Sequence, residues 1–550
     1  MASETEKPTL FLRKASGLAR EWSMFDVFAF QSWLQPFMLA AYYFTLGYLW
    51  TPIGNLVIAV IILAVFATFE VGTYAMMVPI MPKVGGDYIW QSRILHPFIG
   101  FVLIFVGWAI VLQMWVPIID VIYIEQSFAP LAAIAGNLNL AFWLTSNDGI
   151  FVTSVISTVA FIIICALGMK FFATTLKVLF WIALAGLVMV LVIFAVTSQA
   201  TFIAGYNAFF KNTFGYAGAN AFNDTIKTAQ NLTLIPSNTP NSAPWDVRTS
   251  LPLVPLVTFY GVYAIWGAPM YGEVKGAESI KKTFWSMQAA NWPMQILNVA
   301  YLLLLWNVVG FRFFNASGAL YWSGLPQGAT LQPLLPFPGW WVYFMLGSNS
   351  FSFILTAFIL IGNGLMLAVI SGGENFLLIS RMVFAMSFDR MLPAVLAQLH
   401  TRRRIPGWTY LYITIVTVIL SWLYAYNIFN WRVITLDGTV VLAVGFAATA
   451  LAAALLPFRK KELFKNSPAS KYMVGKVPLL TICGVIWFVF SLWFMWYWII
   501  DPLYGVNVPT SAAFLGVCYV ATAVFFVVYR WYRKRQGIDV DMIFREIPGE

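Results

Sequence analysis

Charged residues are scarce in this sequence. Of its 550 residues only 10% are Asp, Glu, Lys or Arg, whereas 61% are hydrophobic; an ordinary soluble domain carries roughly 25% charged residues. A water-soluble fold of this size needs far more polar surface than this composition supplies. The composition therefore excludes a soluble globular protein. It predicts an all-α polytopic membrane protein, because backbone groups in lipid must be hydrogen-bonded within the spanning segment.

Cysteine and histidine are also rare. Cys165, Cys483 and Cys518 all fall in apolar stretches, where cysteine acts as a small packing residue, so no disulfide framework is indicated. The two histidines, His96 and His400, are too few for a metal site. No nucleophile, metal or acid–base set converges, and no nucleotide-binding loop is present. We therefore expect no enzyme, no catalytic residue, no cofactor, no metal and no ATP-driven pump.

Long apolar runs are abundant instead. About 20 mostly apolar residues are needed to cross a bilayer as a helix, and the sequence contains about twelve such segments. They are residues 24–46, 52–81, 98–127, 149–169, 176–199, 251–275, 290–311, 342–380, 407–427, 437–457, 478–501 and 509–531.

The net charge of +10 is distributed unevenly about these segments. All but five of the 32 lysines and arginines fall in the two terminal segments or in loops on the same side as those termini. Positive loops stay in the cytoplasm, so we expect both termini inside, an even number of spans and a multi-pass protein of the plasma membrane. The excess of positive charge is therefore a sign of membrane topology, and we expect no nucleic-acid partner. The five exceptions are Lys211, Lys227, Arg248, Arg312 and Arg432.

The chain divides into two groups of five spans and a final pair. An odd number of spans in the first group turns the second group upside down, as in transporters built from inverted repeats. No apolar signal-peptide core is visible before residue 23. The expected division is a cytoplasmic segment 1–22, a first repeat 23–200, an extracellular loop 201–250, a second repeat 251–458, a cytoplasmic loop 459–477, helices 11 and 12 over 478–531 and a cytoplasmic tail 532–550.

Two outer loops carry Asn-x-Ser/Thr sequons. Asn223 and Asn231 lie in the loop 201–250, and Asn315 lies in the shorter loop 312–340. These asparagines are glycosylation acceptors where the host cell modifies such sites. The alternative is that Asn and Thr are simply common in loops.

The first span of each group is interrupted by polar or helix-breaking residues. Span one contains the run from Gln31 to Pro36, and span six contains Gly261, Gly267-Ala-Pro269 and Gly272. Proline removes a backbone donor and clashes with the preceding turn. Both helices should therefore kink or unwind, at the depth where inverted-repeat transporters bind substrate.

Three segments give the chain a family resemblance. Residues Met81 to Trp90 read MPKVGGDYIW, residues Ser380 to Pro393 read SRMVFAMSFDRMLP, and Phe259-Tyr-Gly-Val262 is followed by Glu273-Val-Lys275. Together they resemble the first cytoplasmic loop, the loop after span eight and the sixth helix of the amino acid–polyamine–organocation superfamily. Phe388 and Arg390 replace an Arg and a Gly of that pattern. The resemblance covers residues 15–460 and implies the LeuT-like fold, five plus five spans and two C-terminal helices.

The resemblance also implies a solute site between the breaks of spans one and six. It implies a small organic solute, above all an amino acid, carried by alternating access through a lipid-embedded secondary transporter. The family's Gly-x-Gly in span one is absent, since Phe37, Met38 and Leu39 stand there, and Tyr263 stands where some members have an acid. Tyr260, Tyr263 and Trp266 would form an aromatic wall suited to an apolar or aromatic solute. The alternative is that these aromatic side chains only pack between helices. The candidate substrate-binding residues are Ser32, Gln35, Pro36, Phe37, Met38, Phe259, Tyr260, Gly261, Tyr263 and Trp266.

Ionisable residues inside a membrane are costly and usually functional. Glu70 in span two and Glu374 in span eight, with its neighbour Asn375, are the candidates for coupling to H⁺ or Na⁺. A buried carboxylate there can bind a cation or take up a proton. The alternatives are that Glu374 pairs with Arg381, two turns on, and that Glu70 makes a structural hydrogen bond.

Residues of the two family-like loops are candidates for a cytoplasmic gate or scaffold. Gly85 and Gly86 let the chain turn sharply beside a neighbouring helix, and Tyr88 follows them. Arg381 and Asp389, near a helix end, can form ion pairs or cap backbone groups.

Two other functions stay open. The fold can carry a solute without an amino-acid backbone, such as a nucleobase, an amine or a carboxylate. It can also belong to a non-transporting sensor or structural protein, which a pocket plugged by Trp33, Phe37 and Trp266 would favour. Solute identity, coupling ion, direction of flux and oligomeric state are not encoded in any motif.

Overall fold

A computed structural model describes residues 20–32, 37–323, 338–400, 405–434, 437–504 and 506–546. Nearly all of its regular structure is helical. In chain order the helices are α1 (Met24–Ser32), α2 (Phe37–Phe44), α3 (Leu56–Ile80), α4 (Gly86–Ile94), α5 (Pro97–Ile134), α6 (Leu138–Leu144), α7 (Asn147–Ala166), α8 (Met169–Val196), α9 (Gln199–Phe214), α10 (Ala221–Asn231), α11 (Val247–Ser250), α12 (Val254–Gly261), α13 (Ile280–Val309), α14 (Phe311–Trp322), α15 (Pro338–Leu346), α16 (Ser350–Phe388), α17 (Gly407–Ala425), α18 (Trp431–Ile434), α19 (Asp437–Arg459), α20 (Lys461–Lys465), α21 (Leu479–Ile500), α22 (Pro509–Arg535) and α23 (Val540–Arg545).

The shorter elements connect these helices. Two strands, β1 (Met473–Val474) and β2 (Val477–Pro478), form an antiparallel hairpin before α21. The described residues also contain seven short 3₁₀ segments: Gly47–Leu49, Leu251–Leu253, Ala268–Glu273, Ala394–Ala397, Ile428–Asn430, Pro468–Lys471 and Pro502–Tyr504.

Ten helices in the described ranges are long and apolar enough to cross a membrane, so the chain is an all-α polytopic membrane protein. They are α3, α5, α7, α8, α13, α16, α17, the Gly438–Arg459 part of α19, α21 and α22. On their outer faces valines such as Val196, Val517 and Val520 are exposed. Apolar surface of that extent is stable only against lipid.

Helices α3 and α5 each pack against several other spans. α3 lies along α13 and α21, whereas α5 packs against α7, α16, α17 and α19. Both α5 and α16 contain π-helical turns, at Phe105–Val111 and Ile124–Phe128 in α5 and at Val369–Glu374 in α16. Such turns are rare and concentrate at functional sites.

Several predicted boundaries were wrong. The helix predicted at 290–311 begins ten residues earlier, where the Ser279 side chain accepts a hydrogen bond from Lys282 N and caps it. The span predicted at 342–380 lies at Ser350–Phe388, with α15 separate before it. Polar first turns hid the true start of α13, and the break at Gly347, whose φ is +77°, hid that of α16.

The two loops predicted to be extracellular contain more regular structure than their composition indicates. The predicted loop 201–250 contains most of α9 and all of α10, which Ser198 and Asn220 cap through their side chains. The predicted loop 312–340 contains most of α14. Aromatic residues hold these helices together, for example Phe222 stacked on Phe313 at 4.4 Å between ring centroids. Asn223 and Asn231 are exposed there, whereas Asn315 is buried.

Candidate functional site

The sixth predicted span is interrupted in the middle. Helix α12 ends at Gly261, and a 3₁₀ segment of two turns follows only at Ala268–Glu273. A Cβ at Gly261 would overlap a methyl group of the Leu63 side chain, so Leu63 of α3 packs directly against the glycine backbone. The first predicted span consists of α1 and α2, with residues 33–36 between them outside the described part of the chain.

An aromatic cluster packs around the interrupted segment. Trp266 is fully buried, and its ring centroid lies 5.0 Å from that of Trp108, 6.1 Å from that of Trp115 and 5.3 Å from that of Tyr263. Edge-to-face and offset pairs at these distances stabilise one another beyond simple burial. The indole N–H of Trp266 has no hydrogen-bond partner among the described residues. A buried donor of this kind is available to a ligand.

A small cavity adjoins this cluster. Its free volume is about 30 Å³, which is room for one or two water molecules, whereas small-molecule sites enclose roughly 300–1,000 Å³. The site is therefore contracted in this conformation. The lining residues are Leu39, Tyr43, Trp115, Ile118, Ile119, Ile122, Phe259, Tyr260, Tyr263 and Thr439.

The structure brings three predicted residues, Phe259, Tyr260 and Tyr263, to the cavity wall. Tyr43 of α2 stacks on Tyr260 with 5.7 Å between ring centroids, and the Tyr260 hydroxyl has no partner in the described ranges. Ser32 is not on the wall; its hydroxyl donates to the Ala29 carbonyl within α1 at 3.3 Å.

The other predicted residues of span one are not tested. Gln35 and Pro36 lie outside the described residues, as does Trp33. Phe37 and Met38 begin α2, but their side chains are also outside the description. Of the three residues that would fill the pocket in a non-transporting protein, Trp33, Phe37 and Trp266, only the side chain of Trp266 is described.

Sequence reasoning missed the α5 side of the cavity. Trp115, Ile118, Ile119 and Ile122 recur at the spacing that places residues on one face of a helix, and all four line the wall. That spacing was readable from the sequence. Thr439, by contrast, reaches the cavity only through the packing of α19 against α5, which no local pattern indicates.

The two predicted membrane carboxylates are completely buried. Glu70 on α3 and Glu374 in the π-turn of α16 are 0% exposed, and no oxygen of either has a hydrogen-bond partner in the described structure. The side chain of Asn375 has none either. The alternative pairing of Glu374 with Arg381 is wrong, because Arg381 binds Glu273. The structural hydrogen bond expected as an alternative for Glu70 is likewise absent from the described residues.

The double glycine lies against the interrupted segment of span six. Gly85 has φ +91°, and its N–H donates to the Pro269 carbonyl at 3.1 Å. A side chain at Gly86 would come within 3.0 Å of the Ala268 carbonyl oxygen. The loop before α4 is thus glycine-rich because the two backbones touch. Tyr88 is buried behind it on α4.

Two buried ion pairs fix the same end of the bundle. The guanidinium of Arg381 donates to both carboxylate oxygens of Glu273, at 2.7 and 3.0 Å, and Arg93 lies 2.6 Å from Asp389. Arg381 and Asp389 therefore both form ion pairs, one of the two roles predicted for them, but each binds a residue from another element and they do not bind each other. Glu273 stands at the end of the 3₁₀ segment, so its pair ties the interrupted segment to α16.

The residues before α1 close this end further. Trp22 N donates to the Glu273 carbonyl at 3.1 Å, and Lys275 N donates to the Trp22 carbonyl at 2.9 Å. The indole of Trp22 is buried and donates to the Met169 carbonyl at 3.2 Å. An ion pair between Arg20 and Glu278 lies beside them. This lysine- and arginine-rich end, here called the basic end, is thus sealed in the described conformation.

Asp87 at the basic end predicts a pH dependence of stability. Burial raises the pKa of its carboxyl from 3.8 to about 6, although hydrogen bonds from Thr449 and Tyr74 lower it. The folded state then holds the proton more tightly than the unfolded state, so stability falls as pH rises from about 4 to about 6, by about 3 kcal/mol. Chemical unfolding in detergent should show this fall.

Asp87→Asn should remove that pH dependence, because an amide oxygen still accepts from Tyr74 and Thr449, 2.6 Å away from Asp87 Oδ1 in each case, but cannot ionise. The exposed Asp148→Asn is the control and should leave the curve unchanged. An Asp87→Asn curve with the wild-type slope would show that another group titrates.

Two further acids of the membrane segment, the buried Asp120 and the half-buried Glu125, were missed by sequence reasoning. Asp120 and Glu125 both lie in α5; Glu125 accepts a hydrogen bond from Tyr321 at 2.5 Å, and Asp120 contacts Ser371. Both fall within the segment 98–127 that the sequence predicts to span the membrane, so the rule that singled out Glu70 and Glu374 also applied to them.

No known protein-family model matches this sequence, and no curated protein sequence is significantly similar to it.

Proposed function

We propose that this chain is a secondary transporter of the amino acid–polyamine–organocation superfamily, with twelve spans, a five-plus-five inverted repeat and two C-terminal helices. The interrupted segment after Gly261, surrounded by buried aromatic side chains, is the observation that carries the proposal. Breaks of this kind at membrane depth are tolerated where they line a cavity. The three family-like segments support it, since two of them, around Gly85 and Arg381, contact the interrupted segment.

The solute in this proposal is small and at least partly apolar, with an amino acid first and a nucleobase, amine or carboxylate as the alternative. Tyr260, Tyr263 and the α5 isoleucines supply an apolar wall, while the unpartnered Tyr260 hydroxyl and Trp266 indole N–H supply polar contacts. The sealed basic end and the contracted cavity correspond to one closed state of an alternating-access cycle. A plasma-membrane location with cytoplasmic termini follows from the charge distribution.

Glu374 is the proposed coupling residue, with Glu70 second. Each is a buried carboxyl with no ion-pair partner in the described ranges, and such a group either holds a proton or binds a cation. The coupling ion is therefore H⁺ or Na⁺.

The contracted cavity also favours a second function, a sensor or structural protein that does not transport. A site with room for only one or two waters holds no solute unless it opens. The two functions differ in whether a ligand stabilises the protein and whether it crosses the membrane.

A ligand screen followed by uptake tests the proposal. A solute that binds only the folded protein raises its unfolding temperature, so purified protein is screened against amino acids, nucleobases and amines. The stabilising compound should then accumulate in proteoliposomes, and Glu374→Gln should abolish the dependence of uptake on pH or sodium. Exposed Glu462→Gln is the matched control. Stabilisation without uptake would favour the sensor, and unchanged ion dependence in Glu374→Gln would remove its coupling role.

A further inference from the structure

Asp120 occupies the most polar buried position of α5. Its side chain is 0% exposed, and it lies between the two π-turns of this helix. Hydroxyl groups from two other membrane helices face it, namely Ser157 on α7 and Ser371 in the π-turn of α16. Three spans therefore converge on one carboxyl group.

The contacts around Asp120 leave some polar atoms unsatisfied. Its Oδ1 lies 2.6 Å from Ser371 Oγ and 3.4 Å from Ser157 Oγ. The hydroxyls of Ser154 and Tyr123 are also close enough to interact with the carboxyl group. At ordinary hydrogen-bond geometry, however, Asp120 Oδ2, Ser154 Oγ and Thr158 Oγ1 have no partner in the described structure.

The hydrogen count at Ser371 indicates which group carries a proton. Ser371 Oγ is 2.6 Å from Asp120 Oδ1 and also 2.9 Å from the Val116 carbonyl oxygen. A hydroxyl has one hydrogen to donate, and a carbonyl can only accept. If the Ser371 hydrogen goes to Val116, the short contact with Asp120 is a hydrogen bond only when the carboxyl group donates. Both contacts are satisfied when Asp120 is protonated.

The absence of a nearby positive charge in the described residues also favours the protonated form of Asp120. An ionised carboxylate in an apolar interior is stable only when it is paired, and no ion pair to Asp120 forms among the described residues. Four membrane helices, α7, α16, α17 and α19, pack against the part of α5 that carries Asp120. The titratable or charged side chains described on them and on α5 nearby are Tyr123, Glu125, Asp148, Cys165, Glu374, Arg381, Tyr410, Tyr412, Tyr424 and Arg459. Of these, Tyr123 alone interacts with Asp120.

We propose that Asp120 is a proton-binding site, separate from Glu70 and Glu374, and that it is protonated in the closed conformation. The protonated carboxyl group of Asp120 donates a hydrogen bond to Ser371 Oγ, and the Ser371 hydroxyl donates to the Val116 carbonyl. Because Ser371 stands in the π-turn of α16, a rearrangement of that turn both removes this acceptor and admits water to the buried carboxyl group, and the water takes up the proton. A role for this proton in driving uptake rests on the proposed transport function. The binding of the proton to Asp120 does not depend on that function.

Infrared spectroscopy tests the site without any substrate. A protonated carboxyl group gives a carbonyl band distinct from those of carboxylates and amides, and the band shifts in D₂O. At neutral pH, Asp120→Asn should remove one component of this band from the purified protein, whereas exposed Asp148→Asn should remove none. A wild-type band in Asp120→Asn would overturn the proposal. So would a component that disappears on adding Na⁺, because the site would then bind the cation as a carboxylate.

Ser371→Ala provides a second test that does not depend on the folding of Asp120→Asn. With its acceptor gone, the acid carbonyl band of Asp120 should move to higher frequency, and Ser491→Ala on α21 is the matched control because that buried hydroxyl donates to the Trp487 carbonyl within its own helix. An unmoved band in Ser371→Ala would overturn the assignment. Failure of the proposed transport function would appear instead as no uptake with the Asp120 component intact.

Discussion

Replacing Glu273 with glutamine, or Arg381 with methionine, is expected to lower the free energy of unfolding by about 3–5 kcal/mol. Both side chains are buried and joined by two hydrogen bonds, at 2.7 and 3.0 Å. Removing one partner leaves the other charge buried without compensation. Chemical unfolding of the purified variants in one detergent, followed by tryptophan fluorescence, measures the loss.

The double variant Glu273→Gln/Arg381→Met distinguishes the contribution of the ion pair to stability from the contribution of side-chain packing. Because neither buried charge is then left alone, its loss should be smaller than the sum of the two single losses by at least about 2 kcal/mol. The exposed pair of Arg530 and Asp541 is the control, and breaking it should cost at most about 1 kcal/mol. Additive losses in the double variant would show that the two side chains stabilise the fold independently.

Trp266→Ala is expected to destabilise the protein by about 3–5 kcal/mol, because a fully buried indole is replaced by a cavity. The indole N–H has no partner to lose within the described residues, so the cost comes from packing against Trp108, Trp115 and Tyr263. Thermal unfolding of the variant measures this loss.

The same variant should gain affinity for a small aromatic molecule. An engineered apolar cavity of aromatic size stays dry and binds benzene-like ligands, so millimolar indole should raise the unfolding temperature of Trp266→Ala and leave the wild type unchanged. Trp285→Ala is the control, because Trp285 is 59% exposed on the outer face of α13. Equal losses in both variants, or no response to indole, would show that Trp266 is not part of the closed packing around the cavity.

The sequence predicts the parts of the fold that depend on local composition. Apolar length located ten of the spanning helices, and the glycines and proline between Gly261 and Gly272 predicted where span six is interrupted. It did not predict helices α9 and α10, because α9 is only weakly apolar and too short to span a bilayer, and α10 is polar on average. Aromatic contacts with α14 and α15 stabilise them instead. The composition of a segment indicates whether it favours water or lipid, whereas these aromatic contacts join elements that are far apart in the sequence.

The candidate site was predictable to the same limited extent. Phe259, Tyr260 and Tyr263 stand next to helix-breaking residues, which indicated them. The ion-pair partners could not be derived, because Arg381 and Glu273 are separated by 108 residues and several acids of equal charge were available to the arginine. Asp120 needed only the rule that membrane carboxylates are functional, yet its partner Ser371 could be found only from the packing of α16 against α5.

The π-turns of α5 and α16 bear on how these helices tolerate changes in length. In a regular α-helix the loss of one residue rotates everything beyond it by about 100° and moves a whole apolar face away from its neighbours. A π-turn already contains one residue more than the α-helical repeat requires. Removal of a residue from Phe105–Val111 or Val369–Glu374 would convert the turn to α-helix and leave the rest of the helix in phase. Single-residue deletions, which a membrane helix otherwise excludes, are therefore accommodated at these turns, and insertions of that kind are one way in which such turns arise.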